Sequence, residues 1–129
     1  MDLGYGFVDR RVHDQKFPNV RHTWVRLREG TFCGAGISMI GAGAVRRVEA
    51  VLREFVSARK SPAKMAALFS PLLVIKILFG QLGVTELERR ASELTKLVCR
   101  GVLCPDAEVA VNVDRLQDLK AAESLLRTP

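Results

Sequence analysis

The strongest constraint on the fold is a turn in the first third of the chain with alternating side chains on both sides of it. Two segments with strand-like alternation flank this turn: residues 23–28 and residues 31–40. In the first segment Arg26 and Arg28 share a face opposite Leu27, and a period of two predicts a β-strand. Gly30 supplies the turn because it tolerates backbone conformations that other residues avoid. The pattern therefore predicts a β-hairpin.

Helical periodicity dominates the rest of the chain. Helices are predicted at residues 44–58, 61–69, 71–79, 85–94 and 115–126. Ser61 and Ser70 each precede a proline and are expected to cap a helix, and Thr85 with Glu88 has the spacing of a capping box. Two further strands are predicted at residues 96–103 and 109–113, after a polar and irregular stretch of about twenty residues at the N-terminus. This order indicates an α/β chain with too few strands for a self-sufficient doubly wound sheet.

The segment at residues 71–79 is apolar nearly all round, with Lys76 as its only charge. A spanning helix needs about 20 apolar residues, roughly twice this length. We therefore expect a buried core helix, with a partner-binding or membrane-surface element as the alternative. The N-terminus has no basic region followed by an apolar run, so no signal peptide is predicted.

The chain has 129 residues, of which 48% are hydrophobic, and this suits one folded domain. Its cysteines, Cys33, Cys99 and Cys104, are odd in number and form no C-x-x-C pair, so reduced thiols and a cytoplasmic location are expected. The net charge of +6 is spread over the chain without a basic tail. It favours either a phosphate-bearing partner or a solvated basic surface.

Common catalytic signatures are missing from the sequence. Neither His13 nor His22 has a second histidine or a cysteine at ligand spacing, so both are expected at the solvated surface and no zinc site is predicted. There is no G-x-S-x-G elbow, no G-x-x-x-x-G-K-[ST] loop, and no G-x-G-x-x-G opening a helix. No loop of the kind that cradles a triphosphate is present.

Two stretches remain, at residues 30–37 (GTFCGAGI) and 111–119 (VNVDRLQDL). Glycines inside a strand usually mark a bulge or a close approach of the backbone to another group. Together the two stretches resemble the C-terminal half of the MobA-like nucleotidyltransferases, the family of the molybdenum-cofactor guanylyltransferase. Residues 21–27 (RHTWVRL) resemble the family's R-T-Y-V-R-L strand, and residues 58–62 (ARKSP) resemble another of its segments. The resemblance extends from about residue 17 to residue 126.

The resemblance implies the C-terminal half of a nucleotide-diphospho-sugar-transferase type α/β fold, with a β-hairpin, helices and two further strands. Residues 1–129 would then be a single partial domain, the acceptor half of a nucleotidyltransferase. Such enzymes use Mg²⁺ to transfer a nucleotidyl group from a nucleoside triphosphate to a phosphorylated acceptor. The family's nucleotide-binding loop lies in its N-terminal half, which this sequence lacks. We therefore expect the chain to be inactive alone, with Mg²⁺ bound only when a complete site is assembled.

The resemblance also assigns site residues in the first stretch. Gly34 and Ala35 fall where the family has paired glycines that let substrate approach the backbone, and Gly36 falls where it has an asparagine. Arg26 either faces an acceptor phosphate or belongs to a solvated strand face. These four residues are the predicted substrate contacts on the hairpin.

In the second stretch, Asp114 matches the family's late acidic position and is the predicted metal ligand. Asn112 is a predicted substrate contact at a position where the family has an acid, and Leu116 replaces a proline. Asp114 with Gln117 also has the pattern of a helix N-cap. If both stretches serve one reaction, residues 34–36 and Asp114 must lie near the same cleft.

Two other functions remain open on the sequence. One is a non-catalytic module that keeps the half-fold and works as a homo-oligomer. The other is a basic nucleic-acid-binding protein, which the sequence supports less because Trp24 and Tyr5 are its sole candidates for stacking on bases.

Overall fold

A mixed four-stranded sheet forms the centre of the part of the chain that the structure describes. This computed structural model describes residues 1–61, 63–64 and 71–127. The strands are β1 (Leu3–Asp9), β2 (Val25–Leu27), β3 (Gly30–Ile40) and β4 (Cys99–Leu103). Their order across the sheet is β2-β3-β1-β4, with β3 antiparallel to both neighbours and β4 parallel to β1. The predicted hairpin is confirmed as β2 and β3.

The helices are α1 (Arg10–Lys16), α2 (Val45–Ala58), α3 (Pro71–Leu78), α4 (Val84–Thr95) and α5 (Leu116–Leu126). The four predicted at residues 44–58, 71–79, 85–94 and 115–126 are confirmed, with small shifts at their ends. The prediction at residues 61–69 lies mostly outside the described residues, as does Ser70. No helix within the described ranges is long and apolar enough to cross a membrane.

The expectation of an irregular N-terminus is wrong. Residues 3–9 form β1, which lies between β3 and β4 in the sheet, and α1 follows directly. Asp9 links these two elements, because its Oδ1 accepts a hydrogen bond of 2.8 Å from the Arg11 amide and so caps α1. Glycines at positions 4 and 6 alternate with large residues, and this hides the apolar period of the strand.

The strand predicted at residues 109–113 is also wrong. Residues 107–110 form a 3-10 turn, and an extended segment leads from there to α5. Ala107 and Ala110, three residues apart, are both fully buried. A spacing of three brings two side chains to the same side of a 3-10 turn, so this segment packs through its alanines without pairing to a strand.

The sheet has a separate core on each face. Adjacent residues of a strand point to opposite faces, so Phe7 and Phe32 lie on one face while Val8 and Cys33 lie on the other. On the first face the helices α2, α3 and α4 contribute the apolar side chains. On the second face the 3-10 turn packs against the sheet through Ala110, and α1 lies against the same turn.

The helix α3 differs from the buried core helix that its sequence predicts. Leu73 is buried against the hairpin, but Leu72, Leu78 and the following Phe79 are 58%, 76% and 70% exposed. Lys76 lies beside Glu86 of α4, with Nζ 2.7 Å from Oε1. Although α3 is apolar nearly all round, only a narrow side of the helix packs into the core.

The predicted capping box at the start of α4 does not form. Both carboxylate oxygens of Glu29, in the hairpin turn, accept hydrogen bonds of 3.1 Å from the Val84 amide. Glu88 instead accepts a hydrogen bond of 2.7 Å from the Gly101 amide of β4. The N-terminus of α4 is thus capped by a residue that is distant in sequence.

We expect Glu29→Ala to lower the free energy of unfolding by about 0.5–2 kcal/mol, the usual cost of losing a helix cap. Urea denaturation followed by circular dichroism measures this change. The control is Glu49→Ala, which removes an exposed ion pair with Arg53 on α2 and should cost less. Equal losses in the two variants would show that Glu29 does not act as a cap.

Candidate functional site

A cleft of about 300 Å³ lies between the segment that precedes β2 and the beginning of α5. Its lining includes Asn19, Arg21, His22, Asn112, Asp114, Arg115, Gln117 and Asp118. Two predicted site residues, Asn112 and Asp114, are therefore in the wall of the same cleft. The opposite wall, residues 19–22, includes Arg21 and His22, the first two residues of the segment that resembles the family pattern.

The N-terminus of α5 is capped by Asp118 and not by Asp114. The Oδ2 atom of Asp118 accepts hydrogen bonds from the amides of Arg115 and Asp114, at 2.9 and 3.2 Å. This corrects the expected cap at Asp114 with Gln117. Asp114 is exposed in the cleft wall, and its side chain does not cap the helix.

The glycines of β3 accommodate atoms of the chain itself. A β-bulge interrupts the pairing of β3 with β1 next to these glycines, as the sequence suggested. A Cβ atom on Gly34 would collide with the Tyr5 hydroxyl, and one on Gly36 would lie 2.8 Å from Asn112 Oδ1. Gly36 is thus beside a cleft residue, whereas Gly34 lies under Tyr5.

The other two predicted substrate contacts have different surroundings. Ala35 is buried in the core with Ala110. Arg26 packs its side chain against Gly80, at the end of α3, where an added Cβ would lie 3.1 Å from three Arg26 atoms. The adjacent Arg28 donates a hydrogen bond of 2.7 Å from Nε to the Gln81 carbonyl. These arginines contact the loop between α3 and α4.

The described residues do not make a magnesium site by themselves. Mg²⁺ prefers several oxygen ligands in octahedral geometry, and the cleft offers the Asp114 carboxylate and the Asn112 amide. Asp118 lines the same cleft, but its Oδ2 accepts two backbone hydrogen bonds. Within the described ranges no group of three or more histidine, cysteine or acidic residues is placed to hold a metal ion.

His22 of the cleft lining contacts a second histidine, His13, and the expectation that both are solvated is wrong. His13 of α1 is fully buried, and its Nδ1 is 3.0 Å from Asp14 Oδ1. The ring of His22 meets the His13 ring edge to face, with centroids 4.5 Å apart. Trp24 packs against both rings, at 5.2 and 5.7 Å. The three side chains form an aromatic cluster between α1 and the segment before β2.

The Nε2 atoms of both histidines are buried and have no hydrogen-bond partner. A buried polar atom without a partner is unfavourable, and such atoms mark places where a proton, a water or a ligand matters. Burial lowers the pKa of His22 below its ordinary value, and the neighbouring His13 lowers it further, while Asp118 and Asp14 oppose this shift. The neutral imidazole of His22 is therefore favoured in the cleft wall.

Arg21, His22 and Arg115 are cleft residues that sequence reasoning did not identify. The one available signal was that Arg21 and His22 are the first two residues of the segment that resembles a family pattern. Their proximity to α5 depends on long-range packing, which single-sequence patterns do not report.

No protein-family model matches this sequence, and a search of curated proteins gives no significant match. Among solved structures, a hypothetical transferase from Thermus thermophilus is similar, with 34% sequence identity and a TM-score of 0.84. The similarity covers 91% of this chain and 51% of that protein. The chain therefore spans about half the length of the transferase that it resembles, and it has the same kind of mixed α/β fold.

We expect the stability of the protein to fall as the pH is lowered from about 7.5 to about 5.5, because unfolded His22 takes up a proton near its ordinary pKa of about 6.5 and the folded residue resists it. Carboxyl groups titrate below this range. Urea denaturation at several pH values gives the free energy of unfolding as a function of pH. The slope of this dependence should be shallower for His22→Gln than for the wild type. The control Gln117→Asn, a neutral change in the same cleft, should keep the wild-type slope. An unchanged slope in His22→Gln would contradict the assignment.

Proposed function

We propose that this chain is the acceptor-side half of a MobA-like nucleotidyltransferase, which transfers a nucleotidyl group from a nucleoside triphosphate to a phosphorylated acceptor. The similarity to a protein described as a hypothetical transferase supports the transferase part of this proposal. The coverage of 51% of that protein is consistent with a chain that carries half of such an enzyme. The assignment to the MobA-like branch depends on the sequence motifs alone.

The observation that carries the proposal is the meeting of two motifs that are far apart in sequence. Asn112 lies directly over Gly36, so the stretch at residues 111–119 contacts the glycines of β3. Asp114, two residues further, lines the adjacent cleft. A reaction that brings an acceptor phosphate to a metal-bound nucleotide needs these two motifs side by side.

The charges in the cleft suit a phosphorylated acceptor. Arg21 and Arg115 lie in its two walls, and a guanidinium group binds phosphate oxygens with paired hydrogen bonds. Asp118 is already engaged at the helix terminus, which leaves Asp114 as the exposed carboxylate between them. In this proposal the arginines hold the acceptor phosphate and Asp114 contributes one oxygen to Mg²⁺.

The remaining parts of such a site would come from another polypeptide segment. The sequence has no loop that presents successive backbone amides to a triphosphate. The cleft offers one free carboxylate where Mg²⁺ needs further carboxylate or phosphate oxygens. The proposal therefore gives these 129 residues the role of acceptor binding and assigns nucleotide binding to a segment outside them.

We expect the isolated chain to show no transferase activity. We also expect no tight binding of any nucleoside triphosphate with Mg²⁺, which calorimetric titration measures. NMR titration with glycerol phosphate should instead shift the amide signals of Asn112, Asp114 and Arg115 as the weak acceptor mimic binds.

The variant Arg115→Gln should reduce these shifts. Its matched control is Arg90→Gln, which changes an exposed arginine on α4 and should leave the shifts unchanged. Tight triphosphate binding by the isolated chain would show that its site is complete. Shifts confined to residues outside the cleft would contradict the acceptor assignment.

A further inference from the structure

The two edges of the sheet differ in whether their backbone groups already have hydrogen-bond partners. At β4, two amides on the same edge are bonded to side chains of α4. The Cys99 amide donates to Ser92 Oγ at 2.9 Å, and the Gly101 amide donates to Glu88 Oε1 at 2.7 Å. These bonds occupy donors that an added strand would need, so β4 is a closed edge.

The opposite side of the sheet is open over most of its length. β2 pairs with residues 30–32 of β3, and β3 continues for eight residues beyond that point, to Ile40. Within the described ranges no strand pairs with this outer edge of residues 33–40. Unpaired strand edges are templates for pairing with another chain.

An uncovered apolar surface lies beside this open edge. Met1, Ile37 and Met39 are 57%, 49% and 43% exposed. Their side chains close over two glycines of β1: an added Cβ on Gly4 would lie 2.9 Å from Met1 Sδ and 3.2 Å from Met39 Cε, and one on Gly6 would lie 2.8 Å from Ile37 Cγ2. We call these three side chains the apolar strip. They cover one face of the sheet where β1 and β3 pair.

The charges around the open edge allow it to meet an identical copy. All eleven residues of β3 are uncharged, so two such strands side by side bring no like charges together. At the end of the strand, Arg47 and Asp2 form an ion pair of 2.9 Å. None of the net charge of +6 is on β3 itself.

We propose that in the isolated chain, where no further polypeptide segment covers it, the outer edge of β3 pairs with the same edge of a second copy of this chain, giving a two-fold symmetric dimer with a continuous sheet. The regular part of the edge is residues 38–40, because the bulge interrupts β3 before Ser38. Antiparallel pairing about a two-fold axis beside Met39 places Met39 opposite its counterpart and Ser38 opposite Ile40. The two apolar strips then join into one buried surface, which is how an isologous interface forms.

A second exposed surface on α2 is a weaker candidate for self-association. Its groove has Leu52 and Val56, which are 53% and 52% exposed, but charged residues also line it: Glu49, Arg53 and Lys60. It offers no unpaired backbone groups, because its helical amides and carbonyls bond within the helix. This surface supplies the control for the experiment.

The test is a charge exchange at Met39, with mass measured by light scattering on the full chain. We expect the wild type to have twice the monomer mass. Met39→Lys and Met39→Glu should each be monomeric, because like charges would face each other across the axis. Mixing the two variants should restore the dimer, because opposite charges then meet. Leu52→Lys, a change on α2 at a residue that is 53% exposed, should remain dimeric.

Several results would overturn the proposal. These are a monomeric wild type, a dimer that Leu52→Lys disrupts and the Met39 variants do not, or Met39 variants that fail to associate when mixed. Thermal unfolding by circular dichroism establishes that each variant is folded. Restoration on mixing separates a specific interface from loss of folding, because two unfolded chains would not form a defined dimer.

Discussion

The pairing of β1 with strands on both of its sides is the interaction on which the rest of the fold depends. β1 is antiparallel to β3 and parallel to β4, so it joins the hairpin to the strand that follows α4. Residues at its two ends fix neighbouring segments. Asp2 accepts a hydrogen bond of 2.9 Å from the Val98 amide just before β4, and Asp9 caps α1. The backbone hydrogen bond from Val98 lowers the pKa of Asp2, and the nearby Arg47 lowers it further. Without β1, the two core layers would have no common sheet to pack on.

The helix α4 connects the hairpin to the edge of the sheet through polar side chains. Its N-terminal amide at Val84 is held by Glu29 from the turn between β2 and β3, and its Glu88 and Ser92 bind amides of β4. One helix therefore spans from one side of the sheet to the other. This arrangement explains why the sheet is closed at β4. It also shows why an exposed glutamate in a turn carries a structural role.

The candidate site combines predicted and unpredicted parts. The motif comparison identified Gly36, Asn112 and Asp114, and the fold brings Gly36 against Asn112 beside the cleft that Asp114 lines. Gly34 accommodates Tyr5 and Arg26 packs on Gly80, contacts that the alternation of the strand did not indicate. The contact between buried His13 and half-buried His22 arises because α1 folds back toward the segment before β2. Each histidine alone looks like a surface residue, since its sequence neighbours are polar.

The sequence by itself determined the features that depend on local periodicity. The hairpin around Gly30, the amphipathic α2 and the beginning of α5 follow from side-chain alternation, helical spacing and turn residues. Tertiary structure decided what local patterns do not encode. Residues 109–113 have the composition of a strand but pair with no strand in the described part of the chain, whereas β1 is a strand because both neighbours offer backbone partners. The cap of α4, the exposure of α3 and the burial of His13 likewise depend on which segments come together. Burial and long-range hydrogen bonds depend on contacts between segments. The local patterns of a single sequence indicate the segments but not which of them come into contact.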